Sequence, residues 1–173
     1  VDNASSPNMP HVILSYAYDA EGNLIQVKDD AGVTVDSTYD SRHRNKTKLW
    51  HGGGTDDARV DFKYNARGDR IELDRWSNLA GTQKVGKTLY SYDASGRTTQ
   101  IRHFNASNAL LVDYKYTYDK ADQLTRESHH GDTIDYKYDL TGQLTDATHS
   151  LASIPDEFYR YDLNGNRTSS YLH

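Results

Sequence analysis

The sequence contains no cysteine. That excludes a disulfide scaffold and Cys-based zinc sites, and leaves the compartment open. Proline occurs three times, at positions 7, 10 and 155. No apolar run approaches the ~20 residues a membrane-spanning helix needs. No segment joins a charged start, an apolar centre and a small-residue cleavage site, so no signal peptide is visible. The chain begins at Val1 and not Met, and reads as a processed or excised piece. Convincing helical period with caps is missing throughout. Leu, Ile, Val and Phe make up 31 of 173 residues, below the roughly 20% at which an ordinary aliphatic core becomes doubtful. There is no excess of positive charge: 20 Lys and Arg stand against 25 Asp and Glu, for a net charge of −5. The basic residues are scattered, so no nucleic-acid footprint exists.

A charged fraction of 26% and a mean hydropathy of −0.89 lean toward disorder. Tyrosine argues the other way. There are 14 Tyr against 3 Phe and 2 Trp, and a Tyr ring can bury a large apolar area while its tip stays polar. The tyrosines are also ordered along the chain. Tyr followed by Asp or Asn recurs seven times, at Tyr18-Asp19, Tyr39-Asp40, Tyr64-Asn65, Tyr92-Asp93, Tyr118-Asp119, Tyr138-Asp139 and Tyr161-Asp162. Three positions after the acidic or amide residue stand Gly22, His43, Gly68, Gly96, Asp122, Gly142 and Gly165. Steps between motif tyrosines run from 20 to 28 residues. Such a period is the signature of a repeat architecture.

Each copy reads as a hairpin turn. Asp or Asn in the first position can accept hydrogen bonds from backbone N–H groups further round the turn. Gly in the fourth suits the left-handed residue that closes a type I turn with a G1 bulge. His43 and Asp122 fit the same place, because both residue types tolerate positive φ better than most.

The residues before each turn alternate as a strand does. An aromatic stands two positions before the motif Tyr in six copies: Tyr16, Phe62, Tyr90, Tyr116, Tyr136 and Tyr159; Ser37 is the exception. Small, polar or charged residues lie between. Stretches such as 24–27 and 144–148 read as return strands. Second turns fall near 30–32, 52–54, 79–81, 105–108 and 130–132. The expectation is an all-β fold of Tyr-rich antiparallel β-hairpin repeats, seven repeats over residues 16–173, forming one continuous curved sheet. Residues 1–15 read as a lead-in, either a strand or disordered. A lone hairpin is marginal in water, so the repeats are expected to stack with motif tyrosines side by side across strands.

The pattern resembles the YD repeat of the Rhs family, related to repeats in the C components of bacterial Tc insecticidal toxins and in teneurins. The resemblance covers about residues 16–169. It implies a β-sheet strip that spirals into a hollow shell, and in bacterial members a shell around a toxic C-terminal segment. The family's closing region, rich in Asp-Pro-x-Gly and followed by a self-cleaving site, has no counterpart here. By the same analogy seven repeats are too few to close a complete cocoon.

Sharper motifs compete with blander readings. Gly81-Thr82-Gln83-Lys84-Val85-Gly86-Lys87-Thr88 matches the phosphate-binding pattern G-x-x-x-x-G-K-[ST], and residues 108–113 resemble an apolar run ending in a Mg²⁺-holding Asp. That chemistry needs a helix opening on the phosphates. Here residues 89–93 are a repeat strand entering its turn, so a Gly-containing inter-repeat loop is expected. The eight histidines, at 11, 43, 51, 103, 129, 130, 149 and 173, show no H-E-x-x-H arrangement. Asp162-Leu163-Asn164-Gly165 begins like a calcium loop but lacks the Glu that completes one. Neither a G-x-S-x-G elbow nor a marked carboxylate pair is present. Sequons stand at Asn3, Asn45, Asn105 and Asn166.

The functional expectation is a non-enzymatic wall segment of a secreted or cell-surface shell, without catalytic residues, cofactor or metal. Its partners are a polypeptide cargo and the remaining shell repeats, with no nucleic acid and no membrane span. The alternative is a cell-surface module that binds glycan or protein through exposed tyrosines. Open sheet ends present edges, so self-association through the terminal strands is expected as well.

Overall fold

The computed structural model describes residues 12–172. Residues 1–11, most of the expected lead-in, lie outside the described residues, as do His11 and His173. The strands are β1 (Leu14–Tyr18), β2 (Leu24–Asp29), β3 (Val33–Tyr39), β4 (Asn45–Gly52), β5 (Ala58–Tyr64), β6 (Arg70–Trp76) and β7 (Lys84–Tyr92). They continue as β8 (Thr98–Asn105), β9 (Leu110–Tyr118), β10 (Leu124–His129), β11 (Asp132–Tyr138), β12 (Leu144–His149), β13 (Glu157–Tyr161) and β14 (Arg167–Leu172). No helix occurs among the described residues. The strands form one fourteen-stranded sheet whose order follows the chain. Pairings are antiparallel from β1 to β6 and from β9 to β14. This is the all-β hairpin-repeat fold read from the sequence, two strands to each repeat.

The described chain packs as two compact units, residues 12–88 with 104–109 and residues 89–103 with 110–172. In both, the period-two pattern sets exposure. Thr38, Lys63, Lys115, Thr117, Lys137 and Arg160 are exposed, while the aromatics flanking them on β5, β9, β11 and β13 are half-buried. Among the described residues an aliphatic core is missing. Ala147 is the one buried hydrophobic residue among those described, whereas Thr34, Asp74, Thr88 and Asp132 are buried polar residues. Thr88 accepts a hydrogen bond from Arg75 Nη1 at 2.8 Å. Asp74 pairs with Lys84 Nζ at 2.6 Å. Buried polar groups must be satisfied in this way.

The second turns run as expected at five places. A sixth, over 150–156 between β12 and β13, carried no Gly-rich signal and was not anticipated.

Candidate functional site

The seven YD turns share one geometry. The motif residue's N–H donates to the carbonyl four residues on, as from Asp19 to Asn23, Asp40 to Arg44, Asn65 to Asp69 and Asp93 to Arg97. The same bond recurs from Asp119 to Gln123, Asp139 to Gln143 and Asp162 to Asn166. The fourth residue is left-handed in every copy. Gly22, Gly68, Gly96, Gly142 and Gly165 have φ between 83° and 107°, and His43 and Asp122 sit at 58° and 64°. Register shifts at Ala17/Tyr18, Thr38/Tyr39, Lys63/Tyr64, Lys137/Tyr138 and Arg160/Tyr161 mark the accompanying bulge.

The motif carboxylate caps its own turn. Asp19 Oδ1 accepts from Glu21 N and Asn23 N at 3.1 and 2.8 Å. Asp119 Oδ1 accepts from Ala121 N and Gln123 N at 2.8 and 3.0 Å. Asp139 and Asp162 repeat the arrangement. Asp40 and Asp93 add a charged partner, since Arg44 Nε and Arg97 Nε donate to their second oxygens at 2.8 and 2.7 Å. The Arg44 hydrogen bond holds the Asp40 carboxyl down at about 2. The Thr141 and Asn166 side chains likewise lower Asp139 and Asp162.

The motif tyrosine belongs to a seam between repeats. Tyr39 Oη donates to the Leu24 carbonyl and Tyr64 Oη to the Asn45 carbonyl, both at 2.8 Å. In the second unit Tyr118 reaches Thr98, Tyr138 reaches Leu124 and Tyr161 reaches Leu144, at 2.9, 2.9 and 2.8 Å. In all five cases the acceptor lies six residues after the preceding motif Tyr, where the chain leaves its bulge. Burial pushes the Tyr118 and Tyr138 phenols up, so both remain protonated donors well above neutrality.

The expected side-by-side stacking of motif tyrosines is not what the seam uses. No ring pair joins any two of Tyr18, Tyr39, Tyr64, Tyr118, Tyr138 and Tyr161. Guanidinium groups cover the faces of two of them instead. Arg44 lies 4.4 Å from the Tyr64 ring centre and Arg97 lies 4.8 Å from that of Tyr118. A polar tip that must reach a fixed carbonyl leaves the ring no freedom to slide against its neighbour.

Successive turns touch one another as well. Asn23 contacts His43 Nδ1 at 3.0 Å, and Arg42 donates to the Ala66 carbonyl at 2.8 Å. Arg97 donates at 2.8 Å to both the Asp119 carbonyl and Asp122 Oδ1. Sequence reasoning did not find these links, because they depend on inter-repeat register.

No protein-family model matches the sequence, and no curated protein matches it. Solved structures do. The structure of TcdB2-TccC3-TEV superposes with a TM-score of 0.78 at 18% identity, covering 92% of this chain and 9% of that one. TcdB2-TccC3-Cdc42 gives 0.81 at 18%, covering 95% and 9%. TcdB2-TccC3 without its hypervariable C-terminal region gives 0.80 at 18%, again covering 95% and 9%.

The chain shares its fold with the matching stretch of the TcdB2-TccC3 structures. It spans 9% of the length of each of those chains, and at 18% identity the likeness is one of fold.

The competing motifs take ordinary places in this fold. Residues 84–88 of the phosphate-loop pattern lie in strand β7, a correction to the expected loop. Gly86 and Thr88 are buried, and Lys87 Nζ sits 5.2 Å from the Phe104 ring centre. Asp113, the would-be Mg²⁺ ligand, accepts from Gln100 Nε2 at 2.8 Å. Asp162 caps its turn.

The opposite row of turns hides the same chemistry. Asn105 Oδ1 accepts from Ser107 N and Ala109 N at 3.0 and 2.9 Å, and Asn108 closes that turn at φ 63°. Phe104-Asn105 is thus a YD-like turn without the Tyr or the Asp. Asp29 and Asn78 cap their own turns similarly.

Proposed function

We propose that this chain is a non-enzymatic wall segment of a secreted Rhs-type shell that encloses or presents a polypeptide cargo. The observation that supports it best is the seam. Every hydroxyl-to-carbonyl link lies at the same register, so repeats can be added without changing the joint. A repeat array built on such links extends as a wall and needs no core of its own. A polar surface also suits an enclosed chain, because it offers little apolar area on which cargo could collapse.

Limited proteolysis of the full-length gene product that carries these repeats tests the reading. An enclosed segment stays intact under native conditions. It is cut once denaturant or a seam substitution opens the wall. Cleavage at the same rate before and after opening would overturn the proposal.

One observation favours a second reading, a glycan-binding module. A groove of about 900 Å³ in the second unit is lined by Asp146, Phe158, Tyr159, Arg160 and Tyr171 among others. Phe158 and Tyr171 stack at 5.4 Å between ring centres. Flat apolar rings with carboxylate and guanidinium groups at the rim suit sugar rings and their hydroxyls. Saturable sugar binding lost on Tyr171→Ala would support this reading over the wall.

A further inference from the structure

Strands β9–β13 of the second unit sort their charges by face. Register sets Lys115 opposite Ser128, Arg126 opposite Asp135 and Lys137 opposite Asp146, all on the face away from Tyr116 and Tyr136. The acids on that face have basic neighbours: Asp113 with Lys115 at 3.6 Å, Asp135 with Arg126 at 2.6 Å and Asp146 with Lys137 at 3.8 Å. The tyrosine face differs. There Glu127 stands directly between Tyr116 on β9 and Ile134 on β11. Among the described residues it has no Lys or Arg partner; its basic neighbour is His129, with Nε2 3.2 Å from Glu127 Oε1.

We infer that Glu127, with Tyr116 and Tyr136 beside it, binds the guanidinium of an arginine presented by another polypeptide. The inference concerns one face of the sheet and does not depend on the shell reading.

The fold itself shows what suits this set of groups. Arg44 donates to Asp40 and covers the Tyr64 ring at 4.4 Å. Arg97 donates to Asp93 and covers the Tyr118 ring at 4.8 Å. Arg167 lies 5.6 Å from the centre of the Tyr159 ring, whose hydroxyl donates to Glu157. In each place a carboxylate and a Tyr ring gather round one guanidinium. Glu127 brings the same groups together, and the chain supplies no guanidinium of its own. A planar cation can stack on a ring while its edge N–H groups meet a carboxylate.

The position is particular to this repeat. Nine residues after the seven motif tyrosines stand Val27, Lys48, Leu73, Ile101, Glu127, Ala147 and Ser170. Glu127 is the one acid in that series. A carboxylate held among rings loses hydration and gains from a cation; the Glu127 side chain is only 22% exposed. Burial, and then the charge of Glu127, push the Tyr136 phenol up to about 12, and the same two causes raise Tyr116. Both hydroxyls therefore stay protonated, and neither ring adds a competing charge.

The patch is open to a partner. Within the second unit the described strands all belong to one sheet, so no second layer covers this face. Tyr114, Tyr116, Ile134 and Tyr136 are half-buried. A chain lying across them would cover apolar area and bring an arginine to Glu127. Such a surface suits an extended polypeptide better than free arginine, because small ligands need a cleft that encloses most of their surface.

Fluorescence anisotropy with a fluorescein-labelled peptide tests this. The peptide carries arginines in a Gly, Ser and Thr background, and its counterpart has glutamate in their place. The arginine peptide should bind the chain saturably and the glutamate peptide should not bind. Glu127→Gln should weaken arginine-peptide binding roughly tenfold, the worth of one hydrogen bond to a charged group. Asp135→Asn removes the same charge from the opposite face and should leave the affinity unchanged. In the parent chain, amide NMR signals of residues 114–116, 127–129 and 134–136 should shift as the arginine peptide is added, a reading that needs no variant to fold. Equal weakening by Glu127→Gln and Asp135→Asn would reduce the effect to net charge and overturn the inference. Binding of the glutamate peptide, or shifts confined to other residues, would overturn it as well.

Discussion

The hydroxyl of Tyr39 donates to the carbonyl of Leu24 at 2.8 Å, across the joint between the first two repeats. That carbonyl lies where β2 leaves its bulge, a place where ladder pairing is disturbed. The next repeat supplies the missing donor from a side chain. This explains why the repeat is built on Tyr: Phe would cover the same area and leave the carbonyl without a partner.

Tyr118→Phe and Tyr138→Phe should therefore each destabilise the second unit by about 1–2 kcal/mol, combining the lost bond with a carbonyl left unsatisfied. Denaturant unfolding measures it. Tyr18→Phe is the internal control, because this hydroxyl has no intrachain acceptor among the described residues. Equal losses at Tyr18 and Tyr118 would show that the ring matters and the hydroxyl does not.

What the sequence disclosed and what it hid divide along a physical line. Turn chemistry is local. Asp19 caps N–H groups two and four residues away, and Gly22 supplies a positive φ, so both are visible in a single heptapeptide. Strand number followed from turn number. The seam was hidden because Tyr64 and Asn45 are 19 residues apart, and their meeting depends on a register that loop length does not reveal. Phe104-Asn105 was hidden for another reason: the geometry survives when both signature residues change. The burial of Thr88 and Asp132 was hidden too, since polar residues on a polar chain give no sign of their depth.

Gly142→Ala should destabilise its hairpin by about 1–2 kcal/mol, since a left-handed residue with a Cβ is strained by that amount. Its φ is 85°, and the new Cβ would also press on Gln123 Nε2 at 3.1 Å. Hydrogen exchange at residues 138–144 should report the loss locally, because repeat arrays open in units. Protection unchanged there would mean that the turn does not hold the hairpin together.

The phosphate-loop pattern gives a prediction that separates strand from nucleotide site. A Cβ on Gly86 would meet the Phe104 carbonyl well inside contact distance. Gly86→Ala should therefore cost on the order of 1–3 kcal/mol, as overpacking does. Lys87→Ala removes only a cation–π contact with Phe104, worth about 0.5–1 kcal/mol. Neither ATP nor GTP should shift the melting temperature of the parent chain. A nucleotide-dependent rise abolished by Lys87→Ala would restore the site reading.

Acid should unfold the chain from its carboxylates. Asp132 is 4% exposed and accepts from His149 Nδ1 at 2.7 Å and Ser150 Oγ at 2.9 Å, with Leu151 N and Thr133 N also donating to it. The His149 hydrogen bond is the leading cause that holds its carboxyl far below the ordinary range. Asp40 is held at about 2 by Arg44. Both folded-state values lie below the unfolded ones, so the stability they contribute is complete above the ordinary carboxylate range. It is lost as pH falls from about 4 toward 2 and below. Asp132→Asn should lower stability at neutral pH and flatten this acid limb, because the variant has no proton to take up. Asp40→Asn should do the same more weakly, since Asn65 shows that an amide can cap the same turn. Melting temperature followed between pH 7 and pH 2 decides it, and an acid limb as steep in Asp132→Asn as in the parent would place the responsible carboxylates elsewhere.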